Sequence, residues 1–523
     1  MAALKKFPLL LGWAALFFQI SKAEKPNVVI VLADDLGIGD VSAYNENSAW
    51  KTPNIDRLAA EGIRFNDAHT SAAICTPTRY SIMTGRYNWR STRKSGGGDG
   101  YSPPLIEKER TTLAELFKDQ GYHTAMIGKW HLGWDWRLVG SETETFDDKV
   151  RPVIDFSKAI RNGPGAHGFT YSFATAASLS SPPYVWVENS RATAIPHEWS
   201  VNYDEKAFWR KGPQAEDFNH VEVLAEITDR SIGYIGERAG KKEPFFLYVA
   251  LTAPHAPIIP TTEWVGKSKV NAYGDFVLQV DHELGRILDA IREKQGLKNT
   301  IIFFTSDNGQ SPRADFDDDE LPLAGHNGSY IFRGKKFDIF EGGHRVPFIA
   351  SWPGKIRKGS RSDEVICTTD FLATAAEILG VELSDDSAED SYSFLPVLIG
   401  ENYSKPLREA TVHHSSSGRF AIRRGDWKLI LWPGSGGWAF PSTEEEMKGL
   451  LRFQLYNLDQ DPGERNNLVS QYPERAEELK ALLTKYVKEG RSAPGAPQEN
   501  EGPAHWPELE WMGRGIWSDG VME

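Results

Sequence analysis

The sequence predicts an α/β protein: a large, mostly parallel or mixed sheet sandwiched by helices, with a smaller C-terminal α+β domain containing an antiparallel sheet. Three observations carry this expectation. Short β-branched runs, apolar on both faces, recur at residues 27–33, 124–128, 245–252 and 300–305, as buried parallel strands require. Helical patterns with stop signals lie between them. From about Ala410 the texture changes to short alternating runs and turns, which belongs to a different layer of structure.

Taken in order, the chain opens with Lys5-Lys6, an apolar run over 7–20 and the small-residue stretch Ser21-Lys22-Ala23. This reads as a secretory signal peptide over residues 1–23, and the mature protein is expected to be secreted or periplasmic. The run is shorter than the ~20 residues of a spanning helix, so no membrane anchor is expected. The strand over 27–33 stops at Asp34-Asp35. A helical pattern over 111–120, closed by Gly121, leads to the strand over 124–128, which ends in Lys129-Trp130-His131. A helix over 220–238 leads to the strand over 245–252 and then Pro254-His255. A helix over 273–295, closed by Gly296, leads to the strand over 300–305 and then Ser306-Asp307-Asn308-Gly309.

Each strand thus ends in a polar cluster, at the edge where open α/β sheets bind ligands. One Asp-Asp after a strand is as well explained by a turn or a helix cap; four such clusters point to one shared site. Further on, residues 420–430 form a hairpin around Arg424-Gly425-Asp426, residues 453–458 another strand and residues 474–488 an amphipathic helix. The stretch from Arg491 has no period and reads as an irregular strap. The expected division is 24–405 for the catalytic domain and 406–523 for the C-terminal subdomain with its tail.

Composition bounds the function. With 59 Lys and Arg against 72 Asp and Glu, the chain carries a net charge of −13, the wrong sign for a nucleic-acid binder. Only two cysteines occur, Cys75 and Cys367, which excludes a disulfide framework and leaves a single bridge open.

Cys75 lies in Ile74-Cys75-Thr76-Pro77-Thr78-Arg79, followed by Thr84-Gly85. Pro77 suits the first turn of a helix, so Cys75 falls at a helix N-terminus, where backbone N–H groups favour negative charge. Arg79, one turn on, adds a fixed positive charge. The residues alone fit a small buried hydrophobe or a reactive nucleophile. Cys-x-Pro-x-Arg followed by Thr-Gly, however, resembles the signature of the type I sulfatases of the alkaline-phosphatase-like superfamily. Asp34-Asp35, the block from Gly128 to Gly133, Pro254-His255-Ala256-Pro257, Ser306-Asp307-Asn308-Gly309, Arg333-Gly334-Lys335-Lys336 and Glu341-Gly342-Gly343-His344 resemble that family's other blocks. The resemblance covers nearly the whole mature chain and extends to bacterial secreted arylsulfatases and carbohydrate sulfatases.

The resemblance implies a sulfuric ester hydrolase whose Cys75 is oxidised to Cα-formylglycine by a formylglycine-generating enzyme. It implies one Ca²⁺ held by Asp34, Asp35, Asp307, Asn308 and the modified residue 75; the four unmodified groups are hard oxygen ligands, suited to Ca²⁺ and poor for Zn²⁺. Arg79, Lys129 and Lys336 would hold the sulfate oxygens, with Lys336 preferred over Lys335 because the family's lysine lies five residues before the Glu of Glu-Gly-Gly. His255 would protonate the leaving oxygen, and His131 would contact the formylglycine hydroxyl and assist sulfate release. The substrate expected is an O-sulfate on galactose or N-acetylgalactosamine of a sulfated glycan undergoing degradation. Trp134-Asp135-Trp136 is the expected sugar-facing element, and His326 is either a substrate contact or structural, as is His344. Arg90, Arg93, Lys94 and Gly96–Gly98 read equally as a substrate loop or a solvated loop. Two rivals are a phosphate-ester hydrolase of the same superfamily, against which Asn308 and the Cys75 motif count, and a catalytically silent glycan-binding relative.

Overall fold

The computed structural model describes residues 24–294, 298–315, 320–403 and 406–513. The leader over 1–23, the stop at Gly296 and the end of the tail lie outside the described residues.

The β-branched run Asn27–Asp34 (β1) is the central strand, and its burial on both faces explains its lack of polar alternation. Nine further strands build the main sheet: Ile63–Phe65 (β2), His123–Lys129 (β3), Tyr171–Thr175 (β4), Val187–Glu188 (β5), Arg191–Ala192 (β6), Phe245–Pro254 (β7), Thr300–Ser306 (β8), Phe348–Ser351 (β9) and Ser360–Ser362 (β10). Their order is β10-β2-β9-β8-β1-β7-β3-β4-β5-β6. The middle five, β8 to β4, run parallel, and antiparallel pairings on both sides make the sheet mixed.

Helices cover the sheet in two groups. Ala272–Glu293 (α5) contacts both Pro53–Glu61 (α1) and Val223–Arg238 (α4), and α4 and α5 lie on β7. Cys75–Thr84 (α2), Leu113–Asp119 (α3) and Phe371–Leu379 (α6) form the other group, with α3 on β3. Helix α2 stops at Gly85, whose φ of 63° is the left-handed turn that a glycine C-cap supplies.

The C-terminal layer is a four-stranded antiparallel sheet of Thr411–His414 (β11), Phe420–Arg424 (β12), Trp427–Ile430 (β13) and Gln454–Asn457 (β14), paired in chain order. Pro473–Lys488 (α7) packs on it through Ala476, Leu479 and Leu483. The segment after α7 is a strap laid over the loop that follows α2. Arg86 donates to the Glu499 carbonyl at 2.6 Å, Lys94 to the Glu501 carbonyl at 2.6 Å, and the Glu501 N–H to the Arg90 carbonyl at 2.6 Å.

Two hairpins escape the sequence patterns. Leu138–Phe146 pairs with Lys149–Ile154 through a two-residue turn at Asp147-Asp148, both with positive φ, and Glu198–Asn202 pairs with Trp209–Gln214. Their strands are mostly exposed and polar, so no apolar alternation marks them.

Candidate active site

Register brings the strand ends to one edge. Ala33 lies opposite Ser306, and Asp34 opposite Pro254, so Asp34-Asp35, His255 and Asp307-Asn308 leave the sheet together. Gly128 on β3 lies opposite Ala250 of β7, which brings Lys129 and His131 to the same edge. Gly128 has a φ of 113°, and a Cβ there would stand 1.9 Å from the Ala250 carbonyl oxygen, so this approach requires glycine. Helix α2 begins at Cys75 after an extended Ile74, and Cys75 is 4% exposed. The loop carrying Lys336 is held by its N–H on the Gln310 carbonyl, and the next N–H donates to the Ala73 carbonyl.

Three buried carboxylates each carry a cation. The Arg79 guanidinium donates Nε and Nη2 to Asp307 Oδ2 at 3.0 and 2.8 Å, and Nη1 to the Lys129 carbonyl at 2.8 Å. Lys129 Nζ lies 2.6 Å from Asp34 Oδ2, and Lys336 Nζ lies 2.6 Å from Asp35 Oδ1. Asn308 donates its amide to Asp35 Oδ1 at 2.8 Å, and the Asp35 N–H donates to Asp307 Oδ1. Burial opposes the charge on Asp34, yet Lys129, His255, Arg79 and Lys336 together hold its carboxyl well below the usual range. Asp307 is pushed well up by burial and by Asp34 beside it, against Arg79 and Lys129. A divalent cation would relieve that repulsion.

The donor set fits a hard cation. Asp34 Oδ1 and Asn308 Oδ1 are buried oxygens without a hydrogen-bond partner, and with Asp35 and Asp307 they supply oxygen ligands only. Asp34, Asp35 and His255 also offer ligand atoms within 4.8 Å of one another.

The two histidines differ in tautomer. His255 Nδ1 is in close contact with the Ala256 carbonyl, leaving Nε2 to face Asp35 Oδ2 at 3.7 Å. Burial pulls its pKa down to about 4, with Asp35 opposing. His131 pairs Nε2 with the Gly98 carbonyl at 3.0 Å, so Nδ1 is an unpartnered buried lone pair. Burial, then Lys129 and Arg79, hold His131 well below its ordinary value.

These groups border a cavity of about 220 Å³ lined by Asp35, Cys75, His131, His255 and Lys336. The remaining wall corrects the expected sugar contacts. Trp134 is 2% exposed within the main core, Trp136 donates to the Gly100 carbonyl, and Asp135 accepts from Asn162; none of the three lines the cavity. His326 also lies elsewhere, its Nε2 on Asp40 Oδ1 at 2.8 Å and its ring 4.0 Å from that of Trp50. Phe208, Arg210, Arg313, Phe337 and Trp438 line the cavity instead. Trp438, 53% exposed, stacks on Phe337 at 4.7 Å and comes from the C-terminal layer. No period marks Phe208-Trp209-Arg210; an aromatic residue in the glycine-rich Gly434–Trp438 loop was the one available signal.

Architecture and site define a class, a hydrolase of sulfuric esters, and the chain belongs to the sulfatase family, which it matches over residues 26–381. Residues 328–492 match a second family, described as N-sulphoglucosamine sulphohydrolase, C-terminal. Among curated relatives, the N-acetylgalactosamine-6-O-sulfatase of Bacteroides thetaiotaomicron is 33% identical over 496 residues, covering 88% of this chain and 93% of the relative. The N-acetylgalactosamine-6-sulfatase of Homo sapiens is 29% identical, covering 93% and 90%. A solved structure from a study of glycosaminoglycan metabolism by Bacteroides thetaiotaomicron matches with a TM-score of 0.75 at 31% identity, over 88% of this chain and 99% of that one.

Proposed function

We propose that the protein removes O-sulfate from galactose or N-acetylgalactosamine in a sulfated glycan, using one Ca²⁺ and a formylglycine made from Cys75 by a formylglycine-generating enzyme. The observation that carries this reading is the ring of three cations on three buried carboxylates beside Cys75. The names of the relatives, N-acetylgalactosamine 6-sulfatases, support the sugar.

Asp34, Asp35, Asp307 and Asn308 would hold the ion; when bound, the ion and the aldehyde hydrate at position 75 supply charge neutralisation and the nucleophilic hydroxyl. Arg79 is fixed by Asp307 and the Lys129 carbonyl, so it meets a sulfate oxygen without reorganising. Lys129 and Lys336 add two charges that stabilise the ester oxygens as the S–O bond breaks. The negative charge of the bound ester favours protonated His255, the form that delivers a proton from Nε2 to the leaving sugar oxygen. His131 is held neutral, so its unpartnered Nδ1 accepts a proton in the later sulfate release. We read residues 1–23 as a signal peptide of a secreted or periplasmic protein, 24–405 as the catalytic domain and 406–523 as its C-terminal subdomain.

A panel of galactose and N-acetylgalactosamine monosulfates differing in sulfate position tests the reading. Sulfate release from one regioisomer is expected, with loss on chelation and recovery on adding Ca²⁺. Phosphate release from paired phosphate esters without sulfate release would overturn it, and an unmodified thiol at residue 75 in active enzyme would overturn the formylglycine chemistry.

A further inference from the structure

Gly97 and Gly98 form a wall of bare backbone between two cavities, for both residues line the site cavity and a second one of about 360 Å³. Arg210 borders both. The second cavity is cationic on a protein of net charge −13: Arg93, Lys149, Arg151 and Arg210 face Asp99 and Asp147 across it. Both acids are already engaged. Asp99 holds Arg151 at 2.7 Å, and Asp147 accepts from the Lys211 N–H at 2.6 Å and the Tyr203 hydroxyl at 3.2 Å.

Among the described residues, no carboxylate is paired with the remaining cations, Arg93, Lys149 and Arg210. Arg93 donates Nη1 to the Gly97 carbonyl at 2.8 Å, while its Nε is buried without a partner. Burial lowers its pKa, with only Asp99 opposing. Arg210 donates to the Ser180 carbonyl and leans over the Phe208 ring at 5.4 Å. A half-buried guanidinium bonded only to a carbonyl keeps donors available for a planar anion, which it binds more strongly than any neutral group.

We propose that the second cavity is a subsite for an anionic group on the sugar next to the sulfated one, either a uronate carboxylate or a second sulfate. The inference rests on the sulfatase reading and narrows its substrate to an acidic glycan whose neighbouring residue reaches past Gly97-Gly98. Arg210 touches the junction of the two sugars, and Arg93 and Lys149 hold the anion.

Two measurements on the full, calcium-loaded protein decide it. The first compares kcat/KM for a sulfated monosaccharide with that for three disaccharides of the same sulfated sugar, joined to a uronate, to a second sulfated sugar or to an uncharged sugar. The wild type should prefer at least one acidic disaccharide over the uncharged one by about tenfold, and whichever acidic arm shows it identifies the anion. Arg93→Gln and Lys149→Gln should each remove most of that preference while leaving the monosaccharide within about twofold. Equal rates on charged and uncharged disaccharides, or equal losses on all substrates, would overturn the proposal. The second measurement needs no turnover: calorimetric binding of the two desulfated acidic disaccharides. For the preferred one, binding should weaken about tenfold in Arg93→Gln; unchanged affinity would overturn the subsite. A calorimetric difference that persists while no substrate releases sulfate would sink the sulfatase reading and leave the anion subsite standing.

Discussion

Asp35 and His131 both sit in the left-handed backbone region, with φ of 67° and 56°, a conformation that costs a non-glycine residue of order 1–3 kcal/mol and clusters where a site fixes its groups. Just beyond their strands, the Asp35 N–H donates to Asp307 Oδ1 and the His131 N–H to the Ala176 carbonyl, and both residues line the cavity with Cys75. The proton-donor assignment of His255 makes a first prediction. His255→Ala should lower kcat on a sugar sulfate by about 10²–10⁴-fold, the scale of general acid catalysis, and on an activated aryl sulfate far less, because a phenolate leaves without a proton. Steady-state rates on both substrates check this, and equal losses would remove His255 from that role. A second prediction separates structure from substrate binding. His326 is wedged between Asp40 and Trp50, away from the cavity, and its Nδ1 accepts from the Ala49 N–H, so His326→Ala should cost about 1–3 kcal/mol of stability by removing both hydrogen bonds and the ring packing. Urea unfolding would read that loss while KM stays unchanged; a raised KM with native stability would restore His326 to the substrate.

At the scale of elements, buried imidazoles between helices and strands set the acid limit. His220, stacked on Trp209 at 4.2 Å just before α4, is pulled down to about 3 by burial, and His167, stacked on Trp130, to about 4. Both are neutral when folded, whereas the unfolded chain takes up their protons near 6.5. The unfolded state therefore binds more protons below that value. Stability is full above about pH 6.5 and falls as pH drops toward 4, by up to ~1.4 kcal/mol per unit for each group. The urea midpoint should fall between pH 7 and pH 5, and His220→Phe should flatten the slope; an identical slope would exclude His220 as a source. The elements legible in the sequence were those whose burial leaves a pattern. The parallel strands β1, β3, β7 and β8 are apolar on both faces, and their polar ends meet at the candidate site because parallel register aligns carboxyl ends. The outer wall of the cavity is illegible because Phe208 and Arg210 come from one end of a polar hairpin strand and Trp438 from a glycine-rich loop far along the chain, and neither leaves an apolar pattern. Trp134 and Trp136 misled for a related reason: aromatic rings serve a core as well as a sugar face, and only packing tells which.

Across the whole molecule, one buried network welds the C-terminal sheet to the loop that bears Lys336. Lys428 on β13 contacts Glu341 Oε1 at 3.0 Å, Glu464 Oε1 at 2.9 Å and His344 Nε2 at 3.1 Å. From His344 the contacts pass to His69 at 3.0 Å and on to Asp67, which Arg423 of β12 grips at 2.7 Å. Lys428 holds Glu341 well down against burial, while burial and Glu341 raise Glu464. Lys428→Met should leave Glu464 without its cation beside Glu341, which keeps Arg345 at 3.1 Å, at a cost of about 3–5 kcal/mol, and Glu464→Gln in the same chain should recover part of it. Denaturation of the three variants measures both effects, and additive losses would mean that the pair is not coupled. The weld also orders events in time. Synthesis proceeds from the amino end, so residue 75 leaves the ribosome roughly 260 residues before Lys336 and about 350 before Lys428, an interval of roughly 13 to 70 s at ~5–20 residues per second. Afterwards residue 75 is 4% exposed, at the wall of a cavity of about 220 Å³. On the formylglycine reading proposed above, translation itself sets the period in which a modifying enzyme would reach this cysteine, and a chain that finished folding first would keep its thiol.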